Sequence, residues 1–215
     1  MIEIIKLTDE YIICEKPPSY ISEAGAKNSL PDALSAQLAE QGQKSDVFTV
    51  HRLDRGVGGI MVYARSANEA ARLSALMQQN KFHKEYTAVV FGKPEENEGE
   101  MTDLLFYDRG RGKTFVVDRK RAGVKEARLS YSLLAHNEEN NLSLVKIVLH
   151  TGRTHQIRAQ FSHKQMPLCG DRRYGGSNGT DIALRCTKLR FENKDKNEVE
   201  YTYELENSAP WNLFN

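Results

Sequence analysis

His51-Arg52-Leu53-Asp54-Arg55-Gly56-Val57-Gly58-Gly59-Ile60-Met61-Val62-Tyr63-Ala64, residues 51–64, sets a charged, glycine-rich turn directly before a short apolar run. Ile60–Ala64 shows no polar alternation and is bounded by turn signals, so it reads as a buried strand. Gly56-Val57-Gly58 could open a dinucleotide-binding fingerprint, but the last glycine position of that motif holds Met61. A strand also stands where the phosphate-binding helix would have to begin, so the nucleotide-binding reading fails.

Outward from this segment, β-type runs dominate. Ile2–Ile5 and Tyr11–Cys14 are short apolar runs, and Lys16-Pro17-Pro18-Ser19 ends the second, because proline cannot donate to a ladder. Leu34, Leu38 and Ala39 recur at helical spacing after Pro31, predicting a helix from Leu30 to Gln41. Ser66 followed by Glu69 is an N-cap signal for a second helix through Leu73, Leu76 and Met77. Glu85–Phe91 reads as a strand stopped by Gly92-Lys93-Pro94, and 95–125 as short strands and loops. Half-buried strands are expected at 127–131 and 142–147, a helix at Thr154–His163 capped by Thr154, and final strands at 182–191 and 198–205. Strands outnumber helices, and the connections are too short for repeated parallel crossovers. The expectation is an α+β fold: one domain over residues 1–215, with a mixed, mostly antiparallel central sheet flanked by helices and loops.

Composition narrows the function classes. With 40% hydrophobic and 27% charged residues the 215-residue chain is globular rather than disordered. Mean hydropathy is −0.58, and no apolar run approaches the ~18–20 residues needed to span a bilayer. The first twenty residues are too charged for a secretory signal, and three scattered cysteines (Cys14, Cys169, Cys186) suit a reducing cytoplasm. The net charge of +1 rules out a uniformly basic coat. Residues 109–128, however, carry eight cationic and two acidic side chains, a local +6 suited to holding a polyanion on one side.

Two segments concentrate polar chemistry among glycines. In the first, Asp54 stands between Arg52 and Arg55 on a tight loop, where neighbouring positive charge favours the ionised carboxylate. Such a group serves as a nucleophile or a charge stabiliser. The second, Thr151-Gly152-Arg153-Thr154-His155-Gln156-Ile157-Arg158, sets cationic and hydrogen-bonding groups at a helix start, suited to a phosphate or carboxylate. Other signatures fail. Gly112-Lys113-Thr114 ends like a phosphate-binding loop, but Tyr107 occupies the earlier glycine position. His150, His155 and His163 lack the close ligand pairs of a zinc site, so neither metal nor nucleotide cofactor is expected.

Taken in order, His51-Arg52-Leu53-Asp54, Lys84-Glu85-Tyr86, Gly152-Arg153-Thr154-His155-Gln156-Ile157-Arg158 and Gly170-Asp171-Arg172-Arg173-Tyr174-Gly175 resemble the RluA-type family of RNA pseudouridine synthases. Lys16-Pro17 and Ile182–Phe191 are weaker matches, so the resemblance runs from about Tyr11 to Phe191. Departures are the Val57-Gly58-Gly59 turn, where the family usually has Thr-Ser-Gly, and Pro18-Ser19 after Lys-Pro.

The resemblance implies the pseudouridine synthase fold and isomerisation of a specific uridine in structured RNA, transfer RNA or large-subunit ribosomal RNA, without a cofactor. By the same resemblance Asp54 is the essential carboxylate, attacking the sugar, attacking the base or assisting proton removal. Tyr86 packs on the uracil and is a candidate base for the proton at carbon 5. Arg158 pairs with the carboxylate, and Arg52 fills the stack when the uridine flips out. His51, Arg55, Arg153, His155, Gln156, Arg172 and Arg173 are expected to bind substrate. A cytoplasmic monomer is expected, with no obligate protein partner, no membrane association and no additional N-terminal RNA-binding domain. The competing readings are an RNA-binding protein of the same fold that has lost catalysis, and a glycosidic hydrolase, which lacks an obvious second carboxylate.

Overall fold

The computed structural model describes residues 1–177 and 181–214. Among them the chain forms β1 (Ile4–Leu7), β2 (Tyr11–Lys16), α1 (Leu30–Glu40), β3 (Phe48–Thr49), β4 (Gly58–Ala64), α2 (Ala67–Gln78) and β5 (Phe82–Phe91). It continues through β6 (Glu98–Asp108), β7 (Lys113–Val117), β8 (Val124–Asn137), β9 (Leu142–Leu149), α3 (Gln156–His163), β10 (Leu184–Glu192) and β11 (Glu198–Thr202). Short 3-10 turns lie at Arg172–Tyr174 and Trp211–Phe214. The α+β class and the mixed, mostly antiparallel strand pairing agree with the sequence reading. No helix among the described residues is long and apolar enough to cross a membrane.

The chain divides into two compact units, Met1–Lys84 with Arg185–Glu204, and Glu85–Leu184 with Leu205–Asn215. In the first, all seven residues of β4 are buried, as expected of a strand covered on both faces. β4 pairs antiparallel with β2 and β3 and parallel with β10, which also pairs with β11. Gly59 allows the parallel contact. Its φ is +111°, and a Cβ there would lie 2.3 Å from the Cys186 carbonyl oxygen. Ser29 and Ser66 cap α1 and α2 by accepting from the Asp32 and Glu69 amides, both at 3.2 Å. Phe82 stacks on Phe191 at 5.0 Å, with Tyr11 edge-on to Phe191 at 5.3 Å.

The second unit is antiparallel, in the strand order β5-β9-β8-β6-β7, with one cluster of buried side chains formed by Leu105, Ala127, Ala159 and Tyr174. Here the sequence reading is corrected. The stretch 95–125 is not short strands and loops, for β6 runs eleven residues and β8 fourteen. Only Met101 and Leu105 are buried along β6, so two anchors per strand replace the alternation that announces a half-buried strand. A second correction concerns α3, which begins at Gln156 rather than Thr154. His155 precedes it in the left-handed region (φ 52°), and the Gln156 side chain turns back to accept from the Arg153 amide at 3.0 Å.

Candidate active site

The loop carrying Asp54 is pinned from beneath. Lys16 is fully buried, and its ammonium donates to the carbonyls of Val57 (2.7 Å), Pro17 (3.2 Å) and Arg55 (3.3 Å). Burial lowers its pKa from 10.5 to about 8, with Asp54 opposing the fall and Arg185 adding to it. Ser22 completes the clamp. Its hydroxyl donates to the Leu53 carbonyl (2.9 Å) and accepts from the Leu53 amide (3.0 Å), and its own carbonyl accepts from the Tyr63 hydroxyl (3.0 Å). The Asp54 carbonyl accepts from the Val57 amide at 2.9 Å, closing a tight turn with the carboxylate part-buried.

His51 faces inward. Its Nε2 accepts from the Val62 amide at 3.1 Å, which puts the ring proton on Nδ1. Burial, with Lys84 nearby, holds its pKa well below the ordinary range, so the ring is neutral. It ties the loop to β4. Arg52 and Arg55 face outward and are exposed. Arg52 donates to Glu23 at 3.0 Å, an exposed ion pair worth ~0–1 kcal/mol, so the arginine can exchange that partner at little cost. Val57 and Gly58 stand where hydroxyl residues are usual in the family. A Cβ on Gly58 would lie 3.1 Å from the Arg185 side chain and 3.2 Å from the Lys16 carbonyl oxygen, so a serine there would need buried Arg185 to shift by a few tenths of an ångström.

In the second unit the segments 151–158 and 170–175 fold onto each other. Arg158 and Asp171, both buried, form a bidentate pair through Nε–Oδ2 at 2.6 Å and Nη2–Oδ1 at 2.9 Å. Gly170 brings the second segment in. At φ +78° a Cβ would lie 2.0 Å from the Asp181 carbonyl oxygen. The Arg158 guanidinium also lies 5.0 Å from the Tyr174 ring centre, and His155 Nδ1 lies 2.9 Å from the Tyr174 hydroxyl. Gln156 is a buried clamp that donates to the Arg128 carbonyl (3.1 Å) and accepts from the Thr151 hydroxyl (2.8 Å). Arg153 is exposed and donates to the Glu126 carbonyl at 2.9 Å. Arg172 and Arg173 are exposed on the 3-10 turn, Arg173 donating to the Gly112 carbonyl. Tyr86 is buried on β5, opposite Ile147 of β9.

The basic stretch occupies two hairpin connections and two strands, with Lys113 half-buried at the start of β7. Arg109 and Arg111 lie on the β6–β7 turn, Arg119, Lys120 and Arg121 on the β7–β8 turn, and Lys125 and Arg128 on β8, all exposed. Sequence reasoning missed Lys16, Ser22 and Asp171 as positioning groups. The Lys16-Pro17 and Gly170-Asp171 motifs were visible, but the carbonyls and guanidinium they serve are distant in sequence.

A family model described as RNA pseudouridylate synthase matches residues 10–163. An uncharacterized RNA pseudouridine synthase of Bacillus subtilis is 29% identical over 180 residues, 81% of this chain and 58% of the relative. One from Aquifex aeolicus is 32% identical over 184 residues, 81% of this chain and 56% of the relative. The ribosomal large subunit pseudouridine synthase D of Vibrio parahaemolyticus is 29% identical over 228 residues, 97% of this chain and 67% of the relative. The chain thus spans less than two thirds of the Bacillus and Aquifex relatives. Human RNA pseudouridylate synthase domain containing 4 shares the fold, with a TM-score of 0.79 at 19% identity over 95% of this chain and 88% of that one. With the family model covering well over half of its length, the chain belongs to the RNA pseudouridine synthase family, among its RluA-type members.

Proposed function

We propose that the protein isomerises a uridine in structured RNA to pseudouridine, with Asp54 as the essential carboxylate. One observation carries this reading: the family match runs through residues 10–163 and so takes in Asp54, Tyr86 and Arg158 in a single span. The bond from uracil N1 to the ribose C1′ breaks, C5 bonds to C1′, and the proton leaving C5 is balanced by one gained at N1. No electrons are exchanged with an outside group, so the reaction calls for no redox cofactor. A rigid loop suits Asp54, because a misplaced carboxylate loses much of the advantage of proximity. The Lys16 and Ser22 clamp supplies that rigidity. Tyr86 packs against the uracil and serves as base for the C5 proton, and Arg158 supports the charge of the reacting carboxylate.

Arg52 leaves its exposed pairing with Glu23 to stack where the target uridine has flipped out, offsetting part of an unstacking cost of a few kcal/mol. Arg55, Arg153, Arg172, Arg173 and the β6–β7–β8 cations hold phosphates without reading sequence. His51, His155 and Gln156 serve the substrate by fixing the loops that touch it. The relatives named for the large ribosomal subunit favour that RNA over transfer RNA as substrate. We further propose that residues 1–215 form a catalytic domain that acts as a monomer in the cytoplasm. Incubation with uracil-labelled large-subunit transcript tests the reading. Labelled pseudouridine is the expected product; unchanged uridine would leave an RNA-binding protein, and free uracil a hydrolase.

A further inference from the structure

Tyr174 meets both the basic hairpin and the start of α3. β7 is the edge strand of that unit, so its outward amides have no ladder partner. The Thr114 amide is satisfied instead by the Tyr174 hydroxyl oxygen at 2.7 Å. The same hydroxyl lies 2.9 Å from His155 Nδ1. The ring is approached by the Lys113 ammonium at 4.9 Å from the hairpin and by the Arg158 guanidinium at 5.0 Å from α3. Parallel ties run beside it. Thr114 Oγ1 donates to the Thr154 carbonyl at 2.7 Å, and Ser162 donates to the Tyr174 carbonyl at 2.6 Å. Tyr107, opposite Thr114 in the ladder, sets its ring edge-on to His155 at 6.1 Å.

Packing alone would not call for the hydroxyl. The ring fills the cluster of Leu105, Ala127 and Ala159, and a phenyl would fill it as well. What the oxygen adds is a buried link between a hairpin that carries Arg109 and Arg111 and the residue pair His155–Arg158. His155 holds a left-handed φ of 52°, a conformation that costs energy for any residue but glycine and is kept where surrounding contacts over-determine it. Burial raises the Tyr174 pKa, so the hydroxyl keeps its proton and can serve as donor and acceptor together.

We propose that Tyr174 is a positioning residue that registers RNA held by the β6–β7 hairpin against Arg158. This rests on the pseudouridine synthase reading. Through Tyr174 the grip of the hairpin on phosphates becomes alignment at α3, so losing the hydroxyl should affect turnover rather than affinity.

The test is Tyr174→Phe, which deletes one oxygen and keeps the ring. On large-subunit transcript, turnover at saturating RNA should fall about tenfold with KM changed less than about threefold, since an interaction realised only at the reacting geometry appears in kcat. Protection of the Thr114 amide against hydrogen exchange should fall as well. On a short stem-loop trimmed so that it cannot reach the hairpin, wild type and variant should turn over equally. A merely structural role would lower both substrates alike, and that outcome overturns the proposal. Equal rates on the long transcript overturn it too. Should Tyr174→Phe fail to fold, Thr114→Val, which removes the parallel tie to Thr154, decides: the same split between substrates supports the proposal and its absence refutes it. If the wild-type protein forms no pseudouridine on either RNA, the underlying reading has failed instead.

Discussion

The loop around Asp54 and the β6–β7–β8 hairpins both carry dense charge, yet they are built in opposite ways. The loop hangs from buried groups: the Lys16 ammonium, the Ser22 hydroxyl and the neutral His51 ring together hold the backbone of residues 51–57. The hairpins carry Arg109, Arg111, Arg119, Lys120 and Arg121 on turns open to solvent. Arg121 lies over the Phe106 ring at 4.9 Å, a contact between side chains rather than a clamp on the backbone. On the proposed function, geometry is therefore fixed around the reacting carboxylate and left adjustable where an irregular phosphate backbone has to be followed. Variants in the first class should cost stability and turnover together, and variants in the second should cost RNA affinity while leaving stability alone.

The largest stability effect is expected at Asp171. Asp171→Ala leaves the buried Arg158 guanidinium without its bidentate partner, and removing one member of a buried pair costs about 3–5 kcal/mol. Urea unfolding should show this as a fall in midpoint. A loss below about 1 kcal/mol would mean that the pair does not organise the second unit.

Lys16→Met comes next. It strips three loop carbonyls of their shared donor and should cost about 1–3 kcal/mol, with turnover falling at least tenfold as the Asp54 loop loosens. The pH dependence sharpens this. The folded pKa of about 8 lies below the ordinary 10.5, so between these values the unfolded chain holds a proton that the folded chain has released. Stability conferred by this group therefore rises with pH across that window and is flat below it. Wild-type minus Lys16→Met unfolding free energy, followed from pH 7 to pH 10.5, should climb. A flat difference would show that the ammonium is not desolvated as described.

Hairpin charges should leave stability alone. Arg109→Ala and Arg111→Ala should each change unfolding free energy by less than about 0.5 kcal/mol. Each should also reduce by about 1 the slope of log affinity against log salt, because one fewer phosphate is neutralised. Nitrocellulose binding across a salt titration measures the slope. If affinity does not vary with salt, the hairpins do not track phosphates.

The same contrast explains what the sequence made legible. β4 was readable from Ile60 to Ala64 because five consecutive apolar residues mark a buried strand, though its first two residues, Gly58 and Gly59, read as turn, and Ser66 with Glu69 marked α2 through local capping chemistry. Asp54, Tyr86 and Arg158 are candidates by ordered motifs, and the family match spans all three. β6 and β8 were not readable at full length, because their exposed faces hold charges that look like loop residues and their cross-strand partners supply the order. The start of α3 was misplaced because Thr154 is a good capping residue by type. In the fold its carbonyl is held by Thr114, while Gln156 takes over the end of the helix. Lys16, Ser22 and Asp171 stayed silent because their partners lie 41, 31 and 13 residues away in the chain.

The most direct measurement is pseudouridine formation by Asp54→Asn on large-subunit ribosomal RNA, with RNA affinity and thermal unfolding recorded beside it. The substitution keeps the side-chain shape, removes the charge and the nucleophilic oxygen, and leaves in place the backbone acceptors that the Lys16 and Ser22 clamps hold. The expected result is a folded protein of unchanged or slightly higher RNA affinity that forms no pseudouridine. A folded Asp54→Asn protein that still forms pseudouridine at the wild-type rate would contradict the assignment of the reacting carboxylate and the mechanism built on it.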